Sequence, residues 1–556
     1  PQPFIPNPAG VAYMPNPTMV AQGPATPATY YDSGLPVNTT AGRPITPAPV
    51  TSTSRVVTPR SASAPASTRR TGAMPGAGAA LPAATPVAQS GAASGYMAPI
   101  SAAQPQGYVP APAGYAGYPG YAAQPAYAAP ATVGTHPNAW ATASNVPTPG
   151  ADQRPRTALD ELSELQQQRA ATISVGVIGR VRQGESGMSK MGDIQAPVEV
   201  RFPAGDGTMS VRVTPTGVSA GTPDLSYGTL SRFGSGPVTA LDMPTRSPGS
   251  QNDSGVGIGV GYETANFAAD IGTLPLGFNQ TDFMGGVKYR LDIGERASVT
   301  GELSRRPVTD SVLSFSGARD ARTGEKWGGV SATGGKLGLG WEDGDFGVYA
   351  SGSAHALQGH NVKSNYKVEV GGGMYWHVYR NNDSQFTAGM NVTGLSYNRN
   401  LRYFTYGHGG YFSPQQFLSA SVPFDWTQRS GRLSYQVNGA LGVQYFKEDS
   451  AAYFPNSTAR QSAAAQAASD AEAFGSGGGS ANAIYPGQSK TGVGYRLGMA
   501  MEYQMHPQLF VGGQLSLDNA RDYRQFSGGI YVRYALQPYN GKASLPVSPL
   551  KSPYQF

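Results

Sequence analysis

The sequence predicts an all-β fold, an antiparallel transmembrane β-barrel of about sixteen strands of the outer-membrane porin type, and three observations predict it. The first is strict alternation. In the stretch Arg432 to Phe446, Leu433, Tyr435, Val437, Leu441, Val443 and Tyr445 share one parity, and Ser434, Gln436, Asn438 and Gln444 share the other. A strand sends successive side chains to opposite faces, so this segment has one oily and one wet face. The second is recurrence: the pattern returns about sixteen times over roughly 370 residues, with no run of about 20 apolar residues that would make a spanning helix. The third is the spacing of the connections, which alternate short and long as they do in bacterial barrels.

Composition divides the 556 residues near Arg156. Residues 1–154 are a low-complexity linker rich in Pro, Ala, Gly and Tyr, typified by GYVPAPAGYAGYPGYAAQPAYAAP from Gly107. Such a stretch buries too little apolar surface to offset its ordering entropy and reads as a disordered, semi-extended spacer. Only 13% of the whole chain is charged and 39% hydrophobic. That is too little charge for an ordinary soluble surface and too little grease for a helical membrane protein. The net charge of +6 comes from scattered arginines rather than a dense basic run, so nucleic acid is not an expected partner. Cysteine is absent, which suits an oxidising compartment. The first residue is Pro1, with no charged and apolar leader behind it, so an export signal is expected upstream.

Residues 155–170 follow as a short periplasmic amphipathic helix: Thr157 is an N-cap and Leu159, Leu162 and Leu165 form one stripe. The barrel itself occupies 171–536. Its exterior parity reads Ile173, Val175, Val177 and Val181 in the first strand, then Ile194, Val198, Val200 and Phe202, then Met209, Val211 and Val213. Later strands repeat it, as in Leu337, Leu339 and Trp341, or Tyr366, Val368, Val370, Met374 and Trp376, or Phe526, Ile530, Val532 and Tyr534. Ionisable residues in these segments fall almost entirely on the opposite parity, as a lipid-facing wall requires when a cation at the bilayer midplane costs roughly 2–4 kcal/mol.

The short connections are AGDG, TAN, DIGE, EDGD, RNNDS, QRSGR and MHPQ, and between them lie long excursions at 219–252, 307–327, 400–416 and 447–490. Beside the short turns, on the exterior parity, stand Phe202, Tyr262, Phe267, Tyr289, Trp341, Phe346, Trp376, Phe386, Trp426, Tyr503 and Tyr534, an interfacial aromatic girdle. Short turns belong to the periplasmic side, which places both ends of the barrel in the periplasm. Residues 537–556 form a C-terminal tail, either hanging in the periplasm or inserted in the lumen.

A barrel of about this size leaves an aqueous channel. Its inferred lining mixes small residues, both signs of charge and polar aromatics. The candidates for contact with a polysaccharide are Tyr349, Tyr375, His377, Tyr379, Arg496 and Tyr531, whose rings and edges suit sugars. Inward charges either meet the solute or pair with one another to brace the wall. Leu313, Phe315, Tyr403, Phe404, Tyr406, Tyr411 and Phe412, in the long loops, are candidates for an extracellular gate or for simple packing over the rim. No catalytic set emerges and no cofactor is expected. His355 and His377, on the inward parity of neighbouring strands, are the nearest approach to a metal pair.

The loops carry a resemblance. GTLPLGF (272–278), SRRPVTDSVLSFSGARD (304–320), EKWGGVSATGG (325–335), GHNV (359–362) and NRNLRYFTYGHGGYFSPQQFLSASVPF (398–424) closely resemble the C-terminal domain of the cellulose synthase operon protein C family of outer-membrane exporters. The resemblance implies a sixteen-stranded outer-membrane porin that passes a cellulose chain, β-1,4-glucan, to the exterior. It also implies a periplasmic tetratricopeptide-repeat region upstream and an inner-membrane cellulose synthase complex as partner. No helical repeat with a period near 34 stands in this sequence, and the resemblance does not reach the spacer. The competing expectations are export of another polysaccharide, a general diffusion porin, an autotransporter translocator, and an outer-membrane enzyme.

Overall fold

A computed structural model of the chain describes residues 170–294, 296–475, 480–520, 523–539 and 541–554. The expected spacer at 1–154 and nearly all of the expected helix at 155–170 lie outside the described residues. The remainder is a closed sixteen-stranded antiparallel barrel. Its strands are β1 (Thr172–Arg182), β2 in two stretches (Met191–Gln195 and Val198–Ala204), β3 (Gly207–Gly221), β4 (Gln251–Glu263), β5 (Phe267–Thr273), β6 (Phe283–Ile293), β7 (Ala297–Pro307) and β8 (Lys326–Asp343). There follow β9 (Phe346–His360), β10 (Asn365–Arg380), β11 (Ser384–Tyr397), β12 (Gln416–Ser430), β13 (Leu433–Glu448), β14 (Gln488–His506), β15 (Leu509–Ala520) and β16 (Tyr523–Ala535).

Each strand pairs with its sequence neighbour, and β1 pairs with β16 from Thr172↔Ala535 to Arg182↔Gln525. Closure leaves no row of unpaired backbone groups, the condition for sheet to stand in hydrocarbon. Pro197 interrupts β2 because it has no N–H to give the ladder. It does not shift the register, since Ile178 faces Gln195 on one side of the break and Val175 faces Val198 on the other.

The wall is inside out relative to a water-soluble sheet. Ile530 is 72% exposed, Leu303 70% and Val370 61%, whereas Arg182 and Lys367 are each only 1% exposed. A soluble fold would have to hide the first group and solvate the second. Hydrocarbon outside and a polar interior reverse that sorting. On β13 the climb from Tyr435 to Tyr445 covers about 25 Å at the usual rise and a tilt near 40°, the height of a lipid-facing band.

Short hairpins close one end of the cylinder. Gly344 (φ 62°) and Gly431 (φ 59°) take the left-handed conformation there, which a side chain would resist. The predicted girdle lies at this end. Phe346 stands between Trp341 (6.4 Å between ring centres) and Trp376 (5.3 Å), Trp426 meets Tyr435 edge-on at 5.5 Å, and Phe267 is cross-strand partner to Tyr289. Both barrel termini are at the same end, where the Leu536 amide donates to the Ala171 carbonyl.

Candidate functional site

The inward side chains of the wall are held by one another. Arg212 and Arg201 converge on Glu199, Arg201 also reaches Glu263, and Arg306 grips Asp270. Arg180 meets Asp193 at 2.8 Å, and Lys367 meets Glu369 at 2.5 Å. Each is a close pair of opposite sign, so these charges face the bore as dipoles, and the bracing role accounts for them.

The predicted polysaccharide contacts fall in different places. The Tyr375 hydroxyl donates to Glu342 at 2.7 Å, His377 Nε2 lies 3.4 Å from the same carboxylate, and its Nδ1 is 2.9 Å from Thr387 Oγ1. On the other side of the closure, the Tyr531 hydroxyl and Arg533 both donate to Glu502, at 2.7 and 2.8 Å. Tyr349 donates to Asn391 at 2.6 Å, and Arg496 is 3.7 Å from Asp518. All of these point inward.

Tyr349, Tyr375 and Tyr531 share a device: each ring packs on a glycine of the adjoining strand. A Cβ on Gly347 would come within 2.2 Å of the Tyr375 ring, one on Gly512 within 2.2 Å of Tyr531, and one on Gly373 within 2.6 Å of the Tyr349 hydroxyl. Glycine there lets an aromatic fold against the wall instead of standing into the bore. Tyr375 and Tyr531 are consequently buried.

Tyr379 departs from the expectation. The register slips between His377 and Tyr379, so that Tyr379 faces Phe386 of the exterior set, and its side chain is exposed. A β-bulge places two residues against one and inverts the parity beyond it. Tyr379 therefore belongs to the outer surface. His355 and His377 are also separated: His355 pairs with Lys367 and His377 with Thr387, at opposite ends of β10. They cannot share a metal ion.

At the other end the long loops pack into a cap with its own apolar core. Trp327 is fully buried at its centre, edge-on to Phe233 (5.4 Å) and Tyr406 (4.9 Å). Tyr485 is stacked between Tyr403 (3.6 Å) and Tyr453 (4.1 Å), and His408 stands edge-on to Tyr403 and Tyr485. Six of the seven gate candidates share this core, Leu313, Phe404, Tyr406 and Tyr411 buried, Tyr403 and Phe412 packed against it. Phe315 lies in a neighbouring cluster with Phe278 and Tyr554.

Polar ties stitch the loops together. Phe404–Thr405 forms a short parallel pair with Phe233–Gly234, Asp310 accepts from the Phe412 amide at 2.9 Å, and Ser311 Oγ donates to the Gly410 carbonyl at 2.8 Å. Arg402 is paired with Glu448 beneath the surface, and Asp320 holds Arg322 (2.8 Å) and Ser235 (2.9 Å). Gly407 (φ 96°) and Gly410 (φ 67°) take left-handed conformations, which explains two of the three glycines of the GHGGYF run. The His408 Nε2 is 2.9 Å from the Ala452 carbonyl oxygen, and burial pushes the imidazole down to about 4.

The C-terminal tail lies against the inner wall between these two ends. Wall side chains donate to its carbonyls in order: Gln504 to Tyr539 (2.7 Å), Arg429 to Ala543 (3.2 Å), Arg533 to Ser548 (2.5 Å) and Gln514 to Leu550 (3.1 Å). Its far end reaches the cap, where Tyr554 meets Phe315 at 5.3 Å and its hydroxyl fills the space that a Cβ on Gly257 would need. A cavity of about 130 Å³ remains between the tail and the wall, lined by Arg201, Arg212, Glu263, Asp270, Arg306 and Lys551. The tail has no alternation to read, so its sequence left both a periplasmic and a lumenal course open.

Residues 189–537 match the family model described as cellulose synthase operon protein C C-terminus. Relatives bearing the name cellulose synthase operon protein C include one from Pseudomonas fluorescens (strain SBW25), 40% identical over 403 residues, covering 72% of this chain and 29% of that protein. Another, from Xanthomonas axonopodis pv. citri (strain 306), is 32% identical over 534 residues, covering 72% and 35%. A third, from Escherichia coli (strain K12), is 31% identical over 377 residues, covering 66% and 31%. The chain thus spans about a third of the length of these relatives. Among solved structures, a bacterial polysaccharide outer membrane secretin is similar, with 10% identity, a TM-score of 0.39, and coverage of 66% of this chain and 99% of that one.

Proposed function

The chain belongs to the cellulose synthase operon protein C family, and from that premise we propose that it conducts newly made cellulose from the periplasm, through the outer membrane, to the cell exterior. The observation that carries this reading is the reversed wall, with Ile530, Leu303 and Val370 turned to lipid and a charge-paired polar lining turned inward. A bore of paired charges and tyrosines suits a neutral, hydroxyl-rich polymer, which gains little from a one-signed field and much from hydrogen bonds and ring faces.

In this reading the barrel is a passive conduit and not an enzyme. Elongation by an inner-membrane cellulose synthase complex drives the polymer, and a tetratricopeptide-repeat region upstream in the periplasm links the two. The hairpin end and both barrel termini face the periplasm, and the cap faces outside. The cap and tail close the bore at rest and yield to the chain, and Tyr349 and Arg496 offer contacts once the tail is displaced. Tyr375, His377 and Tyr531, all buried, join them only if the tail's withdrawal uncovers their rings.

The test is to delete the gene in a cellulose-producing bacterium and locate the polymer. Glucan trapped in the periplasm is the expected result, restored to the surface by the wild-type gene. Normal secretion from the deletion strain would end the proposal.

A further inference from the structure

At the cap end, the outward face of the wall changes from apolar to polar along one line. Leu303 gives way to Arg305 on β7, Ala356 to Gln358 and His360 on β9, Leu418 to Gln416 on β12 and Tyr445 to Lys447 on β13. On β10 the change falls at the strand's start, where Tyr366, 59% exposed, follows Ser364. This line is where the hydrocarbon ends and lipid headgroups begin.

Its basic side chains differ from those of the bore. Inward Arg180, Arg212, Arg306, Lys367 and Arg533 each sit on a carboxylate, and on the rim Arg305 holds Asp282 while Lys447 lies 3.9 Å from Asp449. Lys363 and Arg399 have no carboxylate within 4.0 Å among the described residues. They are neighbours, because Arg399 Nη1 donates to the Ser364 carbonyl at 3.0 Å. The Asn365 side chain fixes the Arg399 backbone on both sides, accepting from its amide at 2.9 Å and donating to its carbonyl at 2.8 Å. Exposed His360 adjoins them across the turn, with Nε2 3.1 Å from Asn361 Nδ2. Directly beneath lie the lipid-facing Tyr366, Val368 and Val370.

We propose that Lys363 and Arg399, with His360 beside them, dock the phosphate groups of the phosphorylated glycolipid, lipopolysaccharide, of the outer leaflet. Two unpaired cations above a smooth apolar wall match a lipid whose anionic headgroup stands directly over its acyl chains. Arg supplies a planar fork for phosphate oxygens and Lys a point charge. The assignment rests on the reading that the cap end faces the cell exterior.

The experiment uses the purified full chain in detergent, incubated with bisphosphorylated lipid A or with the same lipid dephosphorylated, and bound lipid read by native mass spectrometry. The wild type is expected to hold the phosphorylated lipid roughly tenfold or more tightly than the dephosphorylated one, and Lys363→Ala/Arg399→Ala to lose about that preference. Lys447→Ala, which removes a lysine already beside Asp449, keeps it. Equal binding of the two lipids by the wild type, or undiminished preference in the double variant, overturns the proposal. Should the double variant fail to fold, judged by its heat-modifiable mobility, the wild-type comparison decides alone. Conductance and glucan secretion are read separately. A barrel that secretes without lipid preference sinks only this inference, and one with the preference but no secretion sinks only the export reading.

Discussion

The wall and the cap follow opposite rules within one chain. In the wall Ile530 and Val370 are exposed and Lys367 is hidden; in the cap Trp327, Phe233 and Tyr411 are hidden, as in a water-soluble domain. The same residue types are sorted by whichever solvent meets the outer surface, lipid in one case and water in the other. Stability of the two regions should therefore be separable, since a change that ruins one leaves the driving force of the other intact.

The sharpest way to break that separation is Trp327→Ala. Losing a fully buried Trp should cost the cap about 3–5 kcal/mol, while the barrel keeps its heat-modifiable gel mobility and single-channel conductance in planar bilayers rises. Shortening residues 403–412 should raise conductance in the same way. Unchanged conductance in both would mean that the cap packs over the rim without closing it. The converse change is Ile530→Arg, expected to cost the wall roughly 2–4 kcal/mol and to lower the yield of folded barrel, whereas Arg at an exposed cap position such as Ala463 should be neutral. Equal losses at the two sites would undo the comparison.

Acid offers a gentler probe. His408 is buried without charge in the cap and its folded-state pKa is about 4 against an ordinary 6.5. The unfolded cap therefore binds more protons between those values. Cap stability is full above pH about 6.5 and falls as pH drops toward 4, by about 3 kcal/mol at most. Conductance should rise over that window in the wild type and flatten in His408→Gln. The smallest effect expected is that of Tyr349→Phe, which removes the bond to Asn391 and should cost about 1 kcal/mol. Denaturant unfolding followed by gel mobility would measure it, and a loss of several kcal/mol would show that the ring's seat on Gly373 depends on the hydroxyl.

The wall was legible because two solvents write a two-residue period into it. Leu433 through Tyr445 and Tyr366 through Trp376 could be assigned to the lipid side without coordinates. That legibility failed at one position of β10, where the bulge after His377 carried Tyr379 outward, because nothing local marks an inserted residue. The cap was legible only as a set of aromatics. Its arrangement depends on partners far apart in sequence, such as Phe233 with Phe404 and Tyr403 with Tyr485. Glycines 347, 373 and 512 carry no signal in the alternation, and the tyrosines packed on them give a reason for their presence.

The grip on the tail has a consequence of its own. Gln504, Arg429, Arg533 and Gln514 hold main-chain oxygens and not side chains, so the tail's spelling is under little constraint where they touch it. Selection acting through those contacts would preserve the wall residues and the tail's extended shape while letting its individual letters drift.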